Sequence, residues 1–103
     1  MSKIYEINTL RNILYPVFSA NPVYSAIIFG SYAKGNASDK SDIDIVIDSH
    51  GQLLNITFYG LLDEIIDLLG IQVDLFELSE IHKPSPLYTE IIQYGVNIYD
   101  RQG

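Results

Sequence analysis

Two aspartates one residue apart, in Ser41-Asp42-Ile43-Asp44, follow a short loop after Gly30-Ser31. Residues two apart on a strand project to one face, with Cα atoms roughly 6.5–7 Å apart. Carboxylates so placed repel each other unless a cation sits between them. Hard carboxylate oxygens favour Mg²⁺ or Mn²⁺, and Mg²⁺ keeps several waters and shares its shell with substrate phosphates. Gly30-Ser31 supplies the other half. Glycine permits a sharp turn and a close backbone approach, and a helix beginning at Ser31 would present free N–H groups to a phosphate. Together the halves point to chemistry on a metal-bound nucleoside triphosphate. Each half has an ordinary alternative: a solvated aspartate face on an amphipathic strand, and a turn with a helix cap. Against the first, aspartate is depleted in strands, so several on one face need a reason.

Asp74 is a third carboxylate, flanked by apolar residues in Val73-Asp74-Leu75-Phe76. If its strand lies beside that of Asp42 and Asp44, all three meet on one face. Asp74 could then accept a proton from an attacking hydroxyl or help ligate metal. Lys34 and Lys40 bracket the loop and could meet phosphate charge, or simply be solvated. His50 and His82 lack spaced partners, which argues against a metal role. Tyr32 lies inside the motif, where it packs the helix or approaches a nucleotide. Asp63, Glu64 and Asp67 form an acidic helix face that is solvated or meets a basic partner.

The elements that must position these residues follow from periodicity. Ile4, Ile7, Leu10, Leu14 and Val17 predict a helix over Lys3 to Phe18, weakened at its last turn by Pro16. Val23 to Phe29 reads as a buried strand ended by Gly30, and Ser31 to Lys34 as a single helical turn. From Asp42 to Asp48 the alternation puts Ile43, Ile45 and Ile47 on one face and Asp42, Asp44, Val46 and Asp48 on the other. Asn55 to Leu69 is a helix with Gly70 as a left-handed cap. Ile71 to Leu78 is a strand. Ser85 caps a last helix, with Pro86 at its first position and Gly95 just past its end. Val96 to Tyr99 closes the chain as a short strand. Alternating strands and helices predict an α/β (α+β) domain, a small mixed sheet covered by helices.

The 103 residues make one domain, 1–103, with 48% hydrophobic residues, enough to fold. The net charge of -7 disfavours direct nucleic-acid binding and suits a divalent cation or a basic partner. The absence of cysteine excludes disulfides and thiolate metal sites and suits the cytoplasm. Neither a membrane span nor a signal-peptide pattern is expected.

The combined motif, Gly30-Ser31-Tyr32-Ala33-Lys34-Gly35 and then Ser41-Asp42-Ile43-Asp44, resembles the signature of the DNA polymerase β-like nucleotidyltransferase superfamily. It is most similar to the minimal nucleotidyltransferases (MNT), and the resemblance covers nearly the whole chain. It implies a nucleotidyltransferase fold in which Gly30, Ser31, Lys34 and Ser41 hold a triphosphate. Asp42, Asp44 and Asp74 would be the catalytic and metal-binding carboxylates, with Mg²⁺ (or Mn²⁺) as cofactor and ATP as substrate. Lys34 stands where arginine is common, which keeps the charge but loses the fork. Members of the family act as antitoxins that transfer AMP to a tyrosine of an adjacently encoded HEPN-domain ribonuclease toxin. The resemblance therefore implies a protein adenylyltransferase that forms a hetero-oligomer with such a toxin. Two alternatives stay open: an antitoxin that inhibits by binding alone, and a nucleotidyltransferase for a small molecule.

Overall fold

The structure, a computed structural model, describes residues 4–101. Its element order is α1 (Ile7–Ser19), β1 (Ser25–Phe29), α2 (Gly30–Lys34), β2 (Ile43–Asp48), α3 (Ile56–Leu69), β3 (Val73–Glu77), α4 (Pro86–Tyr94) and β4 (Val96–Asp100). A 3-10 turn over Leu78–Glu80 follows β3. The strands form one four-stranded sheet in the order β3-β2-β1-β4. β1 pairs antiparallel with both β2 and β4, whereas β2 and β3 run parallel, so the sheet is mixed as expected. The parallel pair needs a crossover, and α3 supplies it. No helix among the described residues is long and apolar enough to cross a membrane.

Each face of the sheet carries a layer. On one, Leu10, Leu14, Val17 and Phe18 of α1 and Leu61, Ile65 and Leu69 of α3 pack over Ala26, Ile28, Ile43, Ile45, Ile47 and Val73. On the other, Ile91 of α4 and Ile81 cover Phe29 and Val46. Val46 is therefore buried, although alternation had grouped it with the aspartates on an outward face. A two-residue period separates faces but cannot say whether a face is covered.

Several boundaries move from the sequence reading. The first helix begins at Ile7, after Glu6 in extended backbone, and Lys3 lies outside the described residues. It also runs through Pro16 to Ser19, because buried Val17 and Phe18 anchor the last turn. β1 starts at Ser25, β2 at Ile43 and β3 spans only Val73–Glu77. The caps fall where expected. The Ser85 side chain accepts from the Tyr88 N–H, Pro86 opens α4, and Gly70 is left-handed at φ 70°.

The third strand ends on a buried carboxylate. Ser49 Oγ donates to Glu77 Oε1 at 2.5 Å and the Ser49 N–H donates to Oε2 at 3.3 Å. Ser49 Oγ in turn accepts from the Leu53 N–H at 3.2 Å. This network ties the end of β2, the loop into α3 and β3 together. Glu77→Ala leaves both Ser49 donors without their partner, so a loss of about 1–3 kcal/mol is expected in urea denaturation. Glu77→Gln, which keeps one acceptor, should lose less.

Candidate active site

The parallel register of β2 and β3 sets Asp44 directly opposite Asp74, with Ile43 opposite Val73 and Ile45 opposite Leu75. Residues paired this way share a face, so two carboxylates meet where the flanking pairs put apolar groups into the core. They lie within hydrogen-bond reach of each other, and Asp42 stands on the same side just before β2. Asp42 and Asp74 are exposed and Asp44 is half-buried.

Burial is the main force acting on Asp44, which pushes its carboxyl up from 3.8 to about 6. The charge of Asp74 and a hydrogen bond with it add to the rise, followed by the charges of Asp42 and Glu90. Burial and neighbouring negative charge thus both act against the ionised form of Asp44.

Gly30 opens α2 directly above Asp44. It has φ +72°, a left-handed backbone that side chains rarely adopt. A Cβ here would collide with Asp44 Oδ2. The glycine is therefore required twice, by the turn and by the carboxylate beneath it. α2 begins at Gly30, one residue before the expected start, so Ser31 is its second residue rather than its cap. No side chain caps this turn, which leaves its first N–H groups available to an anion.

The other expected residues fall into two groups. Ser41 closes the loop before β2: its Oγ accepts from the Ser38 N–H at 2.8 Å and its N–H donates to the Ser38 carbonyl at 3.1 Å. Lys34 reaches across to α4, where its Nζ stands 3.9 Å from Glu90 Oε2 and 4.9 Å from the centre of the Tyr94 ring. Tyr32 is buried, in keeping with a packing role. His50 stacks on the Tyr24 ring at 3.7 Å, with its Nε2 3.7 Å from Asp48 Oδ2.

Glu90 went unnoticed in the sequence. It sits on an amphipathic helix with no motif around it, and only the packing of α4 beside α2 brings it to the carboxylates. Shape is also a poor guide here. A groove of about 480 Å³ runs between Phe58, Tyr59, Phe76 and Leu87, and it includes none of Asp42, Asp44 or Asp74. The carboxylates sit instead on an open rim.

Among the described residues, no three His, Cys, Asp or Glu side chains already converge as a metal cluster. The donor set nonetheless fits Mg²⁺. It consists of carboxylate oxygens only, two of the three carboxylates are exposed, and Asp44 is destabilised by its neighbours' charge. A cation that keeps waters and takes its remaining ligands from phosphate needs no closed cage.

Because the native pKa of Asp44 is raised, its ionisation opposes folding. The penalty is absent below pH about 4, grows as pH rises through about 6, and is constant above that. Asp44→Asn removes it. In metal-free buffer at pH 8 the variant should melt about 2–4 °C above wild type, a modest gain for a half-exposed group, and the gap should close near pH 4. Adding Mg²⁺ should raise the wild-type melting temperature and leave the variant's unchanged.

Comparison with known proteins places the chain in a family. The family profile described as polymerase β, nucleotidyltransferase matches residues 12–103. A protein of Methanocaldococcus jannaschii, whose naming as a protein adenylyltransferase is itself provisional, is 42% identical over 84 residues, 82% of this chain and 84% of its own. A second such protein of the same archaeon is 44% identical over 62 residues, 60% of this chain; the match spans 63% of that relative's length. A chain of a toxin–antitoxin crystal structure with AMP-PNP is 26% identical and superposes with a TM-score of 0.77, covering 89% of this chain and 74% of that one. The fold also matches a chain of the complex between tri-AMPylated Shewanella oneidensis HEPN toxin and MNT antitoxin. That match has 22% identity and a TM-score of 0.72, over 92% of this chain and 73% of that one. With the paired carboxylates, the glycine above them and the profile spanning most of its length, this chain belongs to the polymerase β-type nucleotidyltransferase family.

Proposed function

We propose that this protein is a Mg²⁺-dependent adenylyltransferase that transfers AMP from ATP to a tyrosine of a partner HEPN toxin, and so acts as its antitoxin. The observation that carries the reading is the Asp44–Asp74 pair beneath Gly30, a carboxylate pair whose repulsion a metal-bound triphosphate relieves. The relatives named for protein adenylylation and the toxin–antitoxin structure with an ATP analogue support it.

In this reading the uncapped first turn of α2, through Gly30 and Ser31, receives the triphosphate, with Lys34 and Ser41 at its margins. Asp42, Asp44 and Asp74 would hold Mg²⁺, which would supply neutralisation of charge on the transferring phosphoryl group. The partner's phenolic oxygen attacks the α-phosphorus. The new O–P bond forms as the bond to the β-phosphate oxygen breaks, and pyrophosphate leaves with that electron pair. Asp74, exposed and opposite Asp44, takes the phenolic proton. Most of the rate enhancement comes from position and charge, since the protein forms no covalent bond itself. The site lies on an open rim, which suits an acceptor that arrives on the surface of another folded protein.

The test is intact-mass spectrometry of the partner after incubation with this protein, Mg²⁺ and ATP. An adenylyl-sized gain is expected with wild type and should fall by about a hundredfold or more in rate with Asp42→Asn/Asp44→Asn. No gain on a folded, active partner, with inhibition retained by the double variant, would replace transfer with inhibition by occlusion. Gly30→Ala should also lose transfer, because its Cβ displaces the Asp44 carboxylate. It should cost about 1 kcal/mol or more of stability from the left-handed backbone alone.

A further inference from the structure

The contact between Lys34 and Glu90 has no part in the mechanism above, yet it holds the lysine that ends the turn over Asp44. Lys34 ends α2, the turn that Gly30 begins over Asp44. Its ammonium is held by two groups of α4, the Glu90 carboxylate at 3.9 Å and the Tyr94 ring at 4.9 Å. Both Lys34 and Glu90 side chains are more than a third exposed, 38% and 35%. An ion pair this long and this wet is weak and readily exchanged. α4 packs against α2, so Glu90 stands beside the end of the turn that Gly30 begins over Asp44.

We propose that Glu90 is a positioning residue that acts through Lys34: it parks the lysine against α4 in the nucleotide-free protein and yields it when a nucleoside triphosphate arrives. The inference rests on the reading of the Gly30–Asp44 site as a triphosphate site. The physical argument is competition for one cation. A triphosphate brings several negative charges and displaces a single half-exposed carboxylate. Its net gain from Lys34 is what remains after the Glu90 contact is broken. Glu90 thus lowers affinity for the incoming nucleotide and, for the same reason, recaptures Lys34 once pyrophosphate has left. A lysine suits this exchange better than an arginine, whose rigid fork would hold the carboxylate in a two-point contact.

The test is calorimetric titration of the whole protein with a non-hydrolysable ATP analogue and Mg²⁺, which needs no partner and no turnover. Glu90→Gln keeps the size of the side chain and removes the competing charge. It should tighten binding about fivefold, the scale of one exposed charge contact. The same change in a Lys34→Ala background separates competition from plain repulsion. Competition predicts that most of the fivefold gain disappears there, and that Glu90→Asp behaves like wild type. The melting temperatures of the Glu90 variants should stay within a degree or two of wild type, as expected for an exposed pair. Weaker or unchanged binding by Glu90→Gln, or an equal gain in both backgrounds, overturns the proposal while the triphosphate site stands. If wild type itself does not bind the analogue, the site reading and this inference fall together.

Discussion

The parallel pairing of β2 with β3 governs the rest of this molecule. One register puts Asp44 opposite Asp74 and, in the same ladder, Ile43 opposite Val73 and Ile45 opposite Leu75. The acidic pair opposes the pairing and the apolar pairs drive it. Burying a large aliphatic side chain contributes about 1.5–3 kcal/mol, and Ile43, Ile45 and Ile47 are fully buried. That sum exceeds the repulsion between partly solvated carboxylates. A slip of one residue would turn every one of these isoleucines out of the core, so the register is fixed and the carboxylates are carried with it. The hydrophobic layer thereby holds an unfavourable arrangement of charge in place.

Two inward-lying carboxylates at opposite ends of this parallel pair show how differently one residue class can be used. Glu77 is buried at 3% exposure, and two donors of Ser49 satisfy it. Its network closes a corner of the fold. Asp44 is half-buried among further carboxylates, with burial and neighbouring charge both acting against its ionised form. A half-buried acid in that condition is a candidate for a functional role.

The second layer gives the site its walls. α4 and the turn before it pack on Phe29, Val46 and Phe76, which share their face of the sheet with Asp44 and Asp74. The strand that carries Asp44 is thus half covered, and the carboxylates emerge where that cover ends. α4 contacts α2 at the same place, so the helix that shields the apolar part of this face also delivers Glu90 and Tyr94 to Lys34 at the end of α2. The turn that Gly30 opens over Asp44 and the packing of the last helix are mechanically joined.

Much of this was readable from the chain alone. Alternation over Ile43, Ile45 and Ile47 located β2 and its core face, because a strand's side chains have a period of two. Ser85, Pro86 and Gly70 placed their caps, since those choices depend on backbone geometry within a few residues. The spacing of Gly30, Asp42, Asp44 and Asp74 named the residues of the candidate site and the metal class that carboxylates favour. Long-range facts were not readable. The burial of Val46 depends on Ile91 of α4, more than forty residues further along. The Ser49–Glu77 bond joins residues 28 apart. Lys34 and Glu90 meet only because two helices share one side of the sheet. Local patterns are written in the sequence because neighbouring dihedral angles and side-chain periods set them. Which charge faces which is decided only when the sheet register and the helix layers bring distant residues to one place.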